Sequence, residues 1–159
     1  IHRPVSLRGR WVPDATVFLD NRPMNGRTGF VVLTPLQLTG SDRVVLVQRG
    51  WVARDFLDRT RLPDLPTPVD EVAVVGRLAP PPSQLFELGA GAQGAIRQNV
   101  DLAELARETA LPLLPLTVLM LTAGLAGISN SAVEAALVWT DGPLLMAVPQ
   151  AMMDAALSV

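Results

Sequence analysis

The stretch Val44–Ala53, VVLVQRGWVA, most constrains what this chain can fold into. Four successive apolar residues, three of them β-branched, have the composition of a strand buried on both faces. Gly50 then interrupts the run between Arg49 and Trp51, and a glycine inside a strand marks a bulge or a close backbone approach. Upstream, Gly29–Leu38 (GFVVLTPLQL) is a second strand-like run, and Thr39-Gly40-Ser41-Asp42-Arg43 between the two has hairpin-loop chemistry. The pair is predicted to be the central hairpin of the domain.

Around this hairpin the pattern stays strand-rich. Val5 to Trp11 alternates apolar and polar positions, as a strand with one wet face does. Pro13-Asp14 predicts a turn, Thr16–Leu19 a short strand, and Asp20–Thr28, rich in Asn, Pro and Gly, a loop. Residues 54–70 carry three Pro with several Asp and Arg, the composition of a solvated connection. Val72–Leu78 is strand-like up to Pro80-Pro81-Pro82, Leu85–Leu88 could add a short edge, and Leu113–Leu119 reads as a further strand. One helix is expected: Asp101 stands at its N-cap, Glu104 at the third helical position, Leu102, Leu105 and Ala106 form its apolar stripe, and Leu111-Pro112 ends it. The predicted fold class is mainly β (α+β), an antiparallel barrel-like domain with one packed helix.

Composition narrows the function. At 159 residues and 49% apolar content the chain can bury a real core. It has no Cys, Lys or Tyr and a single His, which leaves little for a nucleophile–base pair or a Cys-ligated metal. A net charge of -2 gives no reason to expect nucleic acid. All 13 Arg and 11 acids lie in residues 1–107, whereas residues 108–159 hold four acids and no base. Between Glu108 and Glu134 run 25 uncharged residues, long enough to cross a bilayer but broken by Pro112, Pro115, Gly124 and Gly127.

Other candidate sites have plainer explanations. Gly89 to Gly94 fits G-x-G-x-x-G, but the strand-like Ile96–Val100 follows where a dinucleotide site needs a helix, so a flexible loop is expected. Asp55 with Asp58, or Asp70 with Glu71, could serve a carboxylate-dependent hydrolase, although solvated surface charge suits their context better. His2 stands alone near the start of the chain. Trp11 and Trp139 read as core. For Arg49 and Trp51 two readings stand: Trp51 anchors the core with Arg49 paired to an acid beside it, or the two form a partner-facing surface near the membrane.

Several short motifs occur in one order: Leu19-Asp20-Asn21-Arg22, Gly26-Arg27-Thr28-Gly29-Phe30, Thr34-Pro35-Leu36, Val47 to Val52, and Gln98-Asn99-Val100-Asp101. In these the chain resembles the Surfeit locus protein 1 family of cytochrome c oxidase assembly factors. The resemblance covers roughly residues 4–119. It implies a domain, residues 1–119, between two transmembrane helices, facing the periplasm from a bacterial inner membrane or, in mitochondria, the intermembrane space. Its implied role is that of a chaperone: it assists heme a delivery to, or maturation of, the oxidase's largest subunit, subunit I, with no catalysis of its own. Asp20, Asn21, Arg22, Gly26, Gly29, Pro35, Arg49, Gly50, Trp51, Gln98, Asn99 and Asp101 are then structural or partner-facing, and no heme ligand is identifiable among them. Residues 120–159 supply no counterpart of the family's His-x-x-Tyr-Ala-x-x-Trp motif, so a divergent apolar tail, frame-shifted or truncated, is expected there. A non-catalytic β-barrel that binds a ligand is the alternative reading.

Overall fold

A computed structural model describes residues 3–24, 26–63, 65, 67–82, 84 and 94–120. The strands are β1 (Pro4–Trp11), β2 (Val17–Met24), β3 (Arg27–Leu38), β4 (Val44–Ala53), β5 (Val72–Ala79), β6 (Ile96–Arg97) and β7 (Leu113–Met120). A 3-10 turn, Pro13–Ala15, joins β1 to β2, and one helix, α1 (Leu102–Thr109), precedes β7. Among the described residues the fold is mainly β with one helix, as the strand-dominated pattern predicts.

The hairpin of β3 and β4 is the spine. Gly29 faces Ala53 at one end and Gln37 faces Val44 at the other. Its turn is closed by the Leu38 N–H donating to the Arg43 carbonyl at 3.0 Å, with Gly40 at φ 77°. Both faces of β4 are covered. Val45 and Val47 join Val5, Leu7, Leu36, Leu38, Val74 and Val118 inside the barrel. Leu46, one residue out of phase, packs outward with Leu19, Leu33, Val100 and Leu105 beneath α1. Period-two alternation thus serves two cores, which is why the strand has no polar face over its first four residues.

The sheet closes in the order β1-β5-β7-β4-β3, with β3 returning to β1 through Trp11 opposite Leu36. The free edge of β3 is shared: residues 36–38 take β1, and residues 27–33 take β2, outside the closed barrel. Two departures from the sequence-based expectation follow. The segment Asp20–Thr28, expected as a loop, is largely strand, because β2 runs to Met24 and β3 starts at Arg27. Not every pairing is antiparallel either, since β4 and β7 run parallel, as do β2 and β6. A parallel neighbour needs a long crossover, and the stretch from β5 through α1 provides it.

The 25-residue uncharged run is not a single span, because Leu113–Met120 within it is β7. Among the described residues no helix is long and apolar enough to cross a membrane. His2, Leu85–Leu88, most of the Gly89–Gly94 segment, Trp139 and the 120–159 tail beyond Met120 lie outside the described residues.

Candidate functional site

The motif residues meet where β2, the start of β3, the end of β4 and the approach to α1 come together. Two bulges shape this corner. On β2, Leu19 faces Val31 and Arg22 faces Gly29, so Asp20 and Asn21 share one partner position, with Asn21 at φ 58°. On β4, Gln48 faces Leu33 and Gly50 faces Val32, which leaves Arg49 as the extra residue and Gly50 at φ 142°. A side chain resists that backbone region, so the glycine in the Arg49-Gly50-Trp51 motif is a geometric requirement.

Beyond its bulge, β4 sends Trp51 across β3. The indole Nε1–H donates to the Arg22 carbonyl on β2 at 2.6 Å, and the side chain is 8% exposed. Gly29 is the slot it crosses. A Cβ there would stand 2.5 Å from the indole ring and would also meet the Val52 carbonyl oxygen. Nearby, Phe18 and Phe30 pack edge to face at 5.8 Å, joined by Val32 and Ile96.

Polar links tie the same corner to the helix. Arg54 Nη1 reaches Asp20 Oδ1 at 3.1 Å, both groups mostly shielded from solvent. The Arg22 guanidinium donates to the Gln98 carbonyl at 2.6 Å, and burial draws its pKa below the ordinary arginine value. Three residues on, Asp101 caps α1 by accepting the Glu104 N–H at 2.9 Å. Arg97 on β6 grips Glu108 on α1 with two hydrogen bonds, 3.1 and 2.7 Å. The structure therefore brings Asp20, Asn21, Arg22, Gly29, Trp51 and Gln98 together, with Asn99 and Asp101 leading into the helix. Arg54, Arg97 and Glu108 complete the corner and were not singled out by the sequence. Each is paired across 11 or more residues, a separation that carries no local pattern.

Three motif positions lie elsewhere. Gly26 is exposed at the turn between β2 and β3, with φ 76°. Pro35 sits in mid-β3 opposite Leu46, and its carbonyl accepts the Val12 N–H. Arg49 turns the other way, towards the barrel interior. Only 1% exposed, it donates from Nη1 to the Thr34 and Thr67 hydroxyls at 3.2 and 3.1 Å and stacks 4.8 Å from the Trp11 ring centre. Loss of hydration lowers its pKa to about 10. Arg49 and Trp51 are thus both buried.

The arrangement fixes elements rather than assembling a reactive group. The Asp55 carboxylate accepts the Leu57 and Asp58 N–H groups, and Asp58 accepts the Thr60 hydroxyl and N–H. These bonds hold both carboxyls below their usual range, for Asp55 chiefly the Asp58 amide and for Asp58 chiefly the Thr60 hydroxyl. Glu71 pairs with Arg8 at 3.6 Å and accepts the Thr39 hydroxyl. Both carboxylate pairs are thus on solvated turns. Among the described residues no three His, Cys, Asp or Glu gather to hold a metal. The described side chains able to ligate heme iron are Met24 on β2 and Met120, which is packed in the barrel core.

Comparison with known proteins agrees with the motif reading. The profile of the SURF1 family matches residues 1–151, past Met120 where the motif resemblance stops. Over 85 residues the chain is 29% identical to the cytochrome oxidase assembly protein SHY1 of Saccharomyces cerevisiae. That alignment takes in 52% of this chain and 22% of the yeast protein, so it spans about a fifth of the relative's length.

Proposed function

The chain belongs to the SURF1 family, and from that premise we propose that it is the β domain of a membrane-associated assembly factor for cytochrome c oxidase. In this reading it faces the periplasm of a bacterial inner membrane. It assists heme a delivery to, or maturation of, the largest oxidase subunit without making or breaking bonds itself. The observation that carries the proposal is the family match along nearly the whole chain, coupled to a yeast relative whose name is an oxidase assembly protein. Physical support comes from the motif corner, where the matched side chains are engaged in holding β2, β4 and α1 to β3. A scaffold that presents a surface needs such a corner; a reactive cleft would need free polar groups converging on a substrate. Heme a is the cargo of the assembly step in this reading.

The test is genetic and enzymatic. Deleting the gene should lower oxidase-dependent oxygen consumption in isolated membranes, and a plasmid copy should restore it. Oxidase turnover that is unchanged by the deletion would rule the proposal out.

A further inference from the structure

The loop after β4 carries two apolar side chains that the fold leaves in water: Phe56 is 97% and Leu57 is 91% exposed. They are not on a slack segment. Asp55 Oδ1 holds the Leu57 and Asp58 N–H groups at 2.9 and 2.8 Å, Asp58 Oδ1 holds Thr60, and the Arg61 N–H returns to the Asp58 carbonyl at 3.3 Å. Four closures over seven residues pin a turn whose tip is a Phe-Leu pair. Isolated exposed apolar residues are ordinary, but a pre-organised adjacent pair with Leu62 close behind it, 45% exposed, is a built feature.

We propose that the Asp55–Arg61 turn is a membrane wedge that seats Phe56 and Leu57 in the interfacial layer of a lipid bilayer. The inference rests on the membrane association proposed above and adds which part of the domain touches the lipid. Topology favours the bilayer as occupant. β7 runs parallel to β4, with Leu119 opposite Gln48, so both strands finish in the same direction. The Phe-Leu turn follows from the end of β4, and the chain that follows β7 enters a sequence without a charge until Glu134. The apolar turn and the end of β7 therefore lie at the same end of the barrel. The opposite hairpin end carries Asp42, its side chain 92% exposed. Charge agrees as well: Asp55 faces Arg61 at 3.7 Å, Arg54 is taken by Asp20, and within the turn Asp55 and Asp58 balance Arg59 and Arg61, so it has no net charge. Such a turn suits a zwitterionic interface driven by apolar burial. A protein socket fits less well, because two side chains cover far less area than a stable interface needs.

The absence of cysteine makes the test direct. Leu57→Cys labelled with an environment-sensitive fluorophore reports the turn in the full chain, and Asp42→Cys reports the opposite end. With phosphatidylcholine vesicles, the probe at 57 should shift to the blue, be quenched by lipid-borne nitroxide and lose its quenching by aqueous iodide. The probe at 42 should change in none of these. If the chain sediments with vesicles while position 57 stays open to iodide, the wedge is refuted and membrane association stands. If the chain does not sediment with vesicles, the wedge is refuted as well, whereas the assembly role is judged by the deletion strain. Shielding of position 57 by added membrane proteins, but not by lipid alone, would assign the turn to a protein socket and overturn the proposal.

Discussion

At Gly29 and Trp51 a missing side chain decides where a large one goes. The indole lies across the glycine to reach the Arg22 carbonyl, so Gly29→Ala forces a displacement of the ring or of the Val52 backbone. Overpacking of this kind costs about 1–3 kcal/mol, and the lost hydrogen bond adds roughly another 1. Trp51→Leu should relieve part of the clash, so in urea denaturation the double variant is expected to lose less than the sum of the singles; strict additivity would show that the two do not share the slot. Arg49 poses the opposite problem, a charge kept inside. Burial lowers its pKa to about 10, a desolvation cost offset by its hydroxyl partners and the Trp11 ring. Arg49→Met is therefore expected to stay within about 1 kcal/mol of the parent or to be more stable, whereas Arg49→Ala should cost about 2–4 through the void under Trp11. In the window that opens at about pH 10, the unfolded chain holds the Arg49 proton more tightly than the folded one. Parent stability should then rise with pH relative to Arg49→Met across that window. A parent that loses ground there would contradict the burial argument.

Among the elements, α1 shows how a short helix is held. Eight residues are too few to persist alone. Three things hold it: Leu105 packed under β3 and β4, the Asp101 cap, and the Arg97–Glu108 pair. Asp101→Ala should cost about 1 kcal/mol and speed amide exchange at Glu104 in particular; unchanged exchange there would dismiss the cap. This helix was legible in the sequence because its signals are local, the Asp101-x-x-Glu104 start and an apolar stripe. The β3–β4 hairpin was legible for the same reason, and Gly50 announced its bulge. The reach of β2 was not. Asn21 and Pro23 read as loop chemistry, but the αL turn at Asn21 makes a bulge and the strand resumes beyond it. Nor could the parallel β4–β7 pairing be read, since strand partners distant in sequence leave no periodic trace. The candidate corner was half visible: motif order named Asp20, Arg22, Gly29 and Trp51, but their partners Arg54 and the Gln98 carbonyl depend on the fold.

For the whole molecule, the closed barrel leaves its motif corner on one side and the Phe56–Leu57 turn at the end of β4. The first is inward-looking and the second outward-looking, a division between what holds the domain and what it can touch. The proposed role of this domain in oxidase assembly can be tested in cells. The most direct measurement is the reduced-minus-oxidised spectrum of membranes from a strain that lacks the gene, compared with the same strain carrying a wild-type copy. The account predicts a fall in the heme a signal relative to b-type cytochromes in the deletion strain and its recovery with the wild-type copy. An unaltered ratio of heme a to b-type cytochromes in the deletion strain would contradict it.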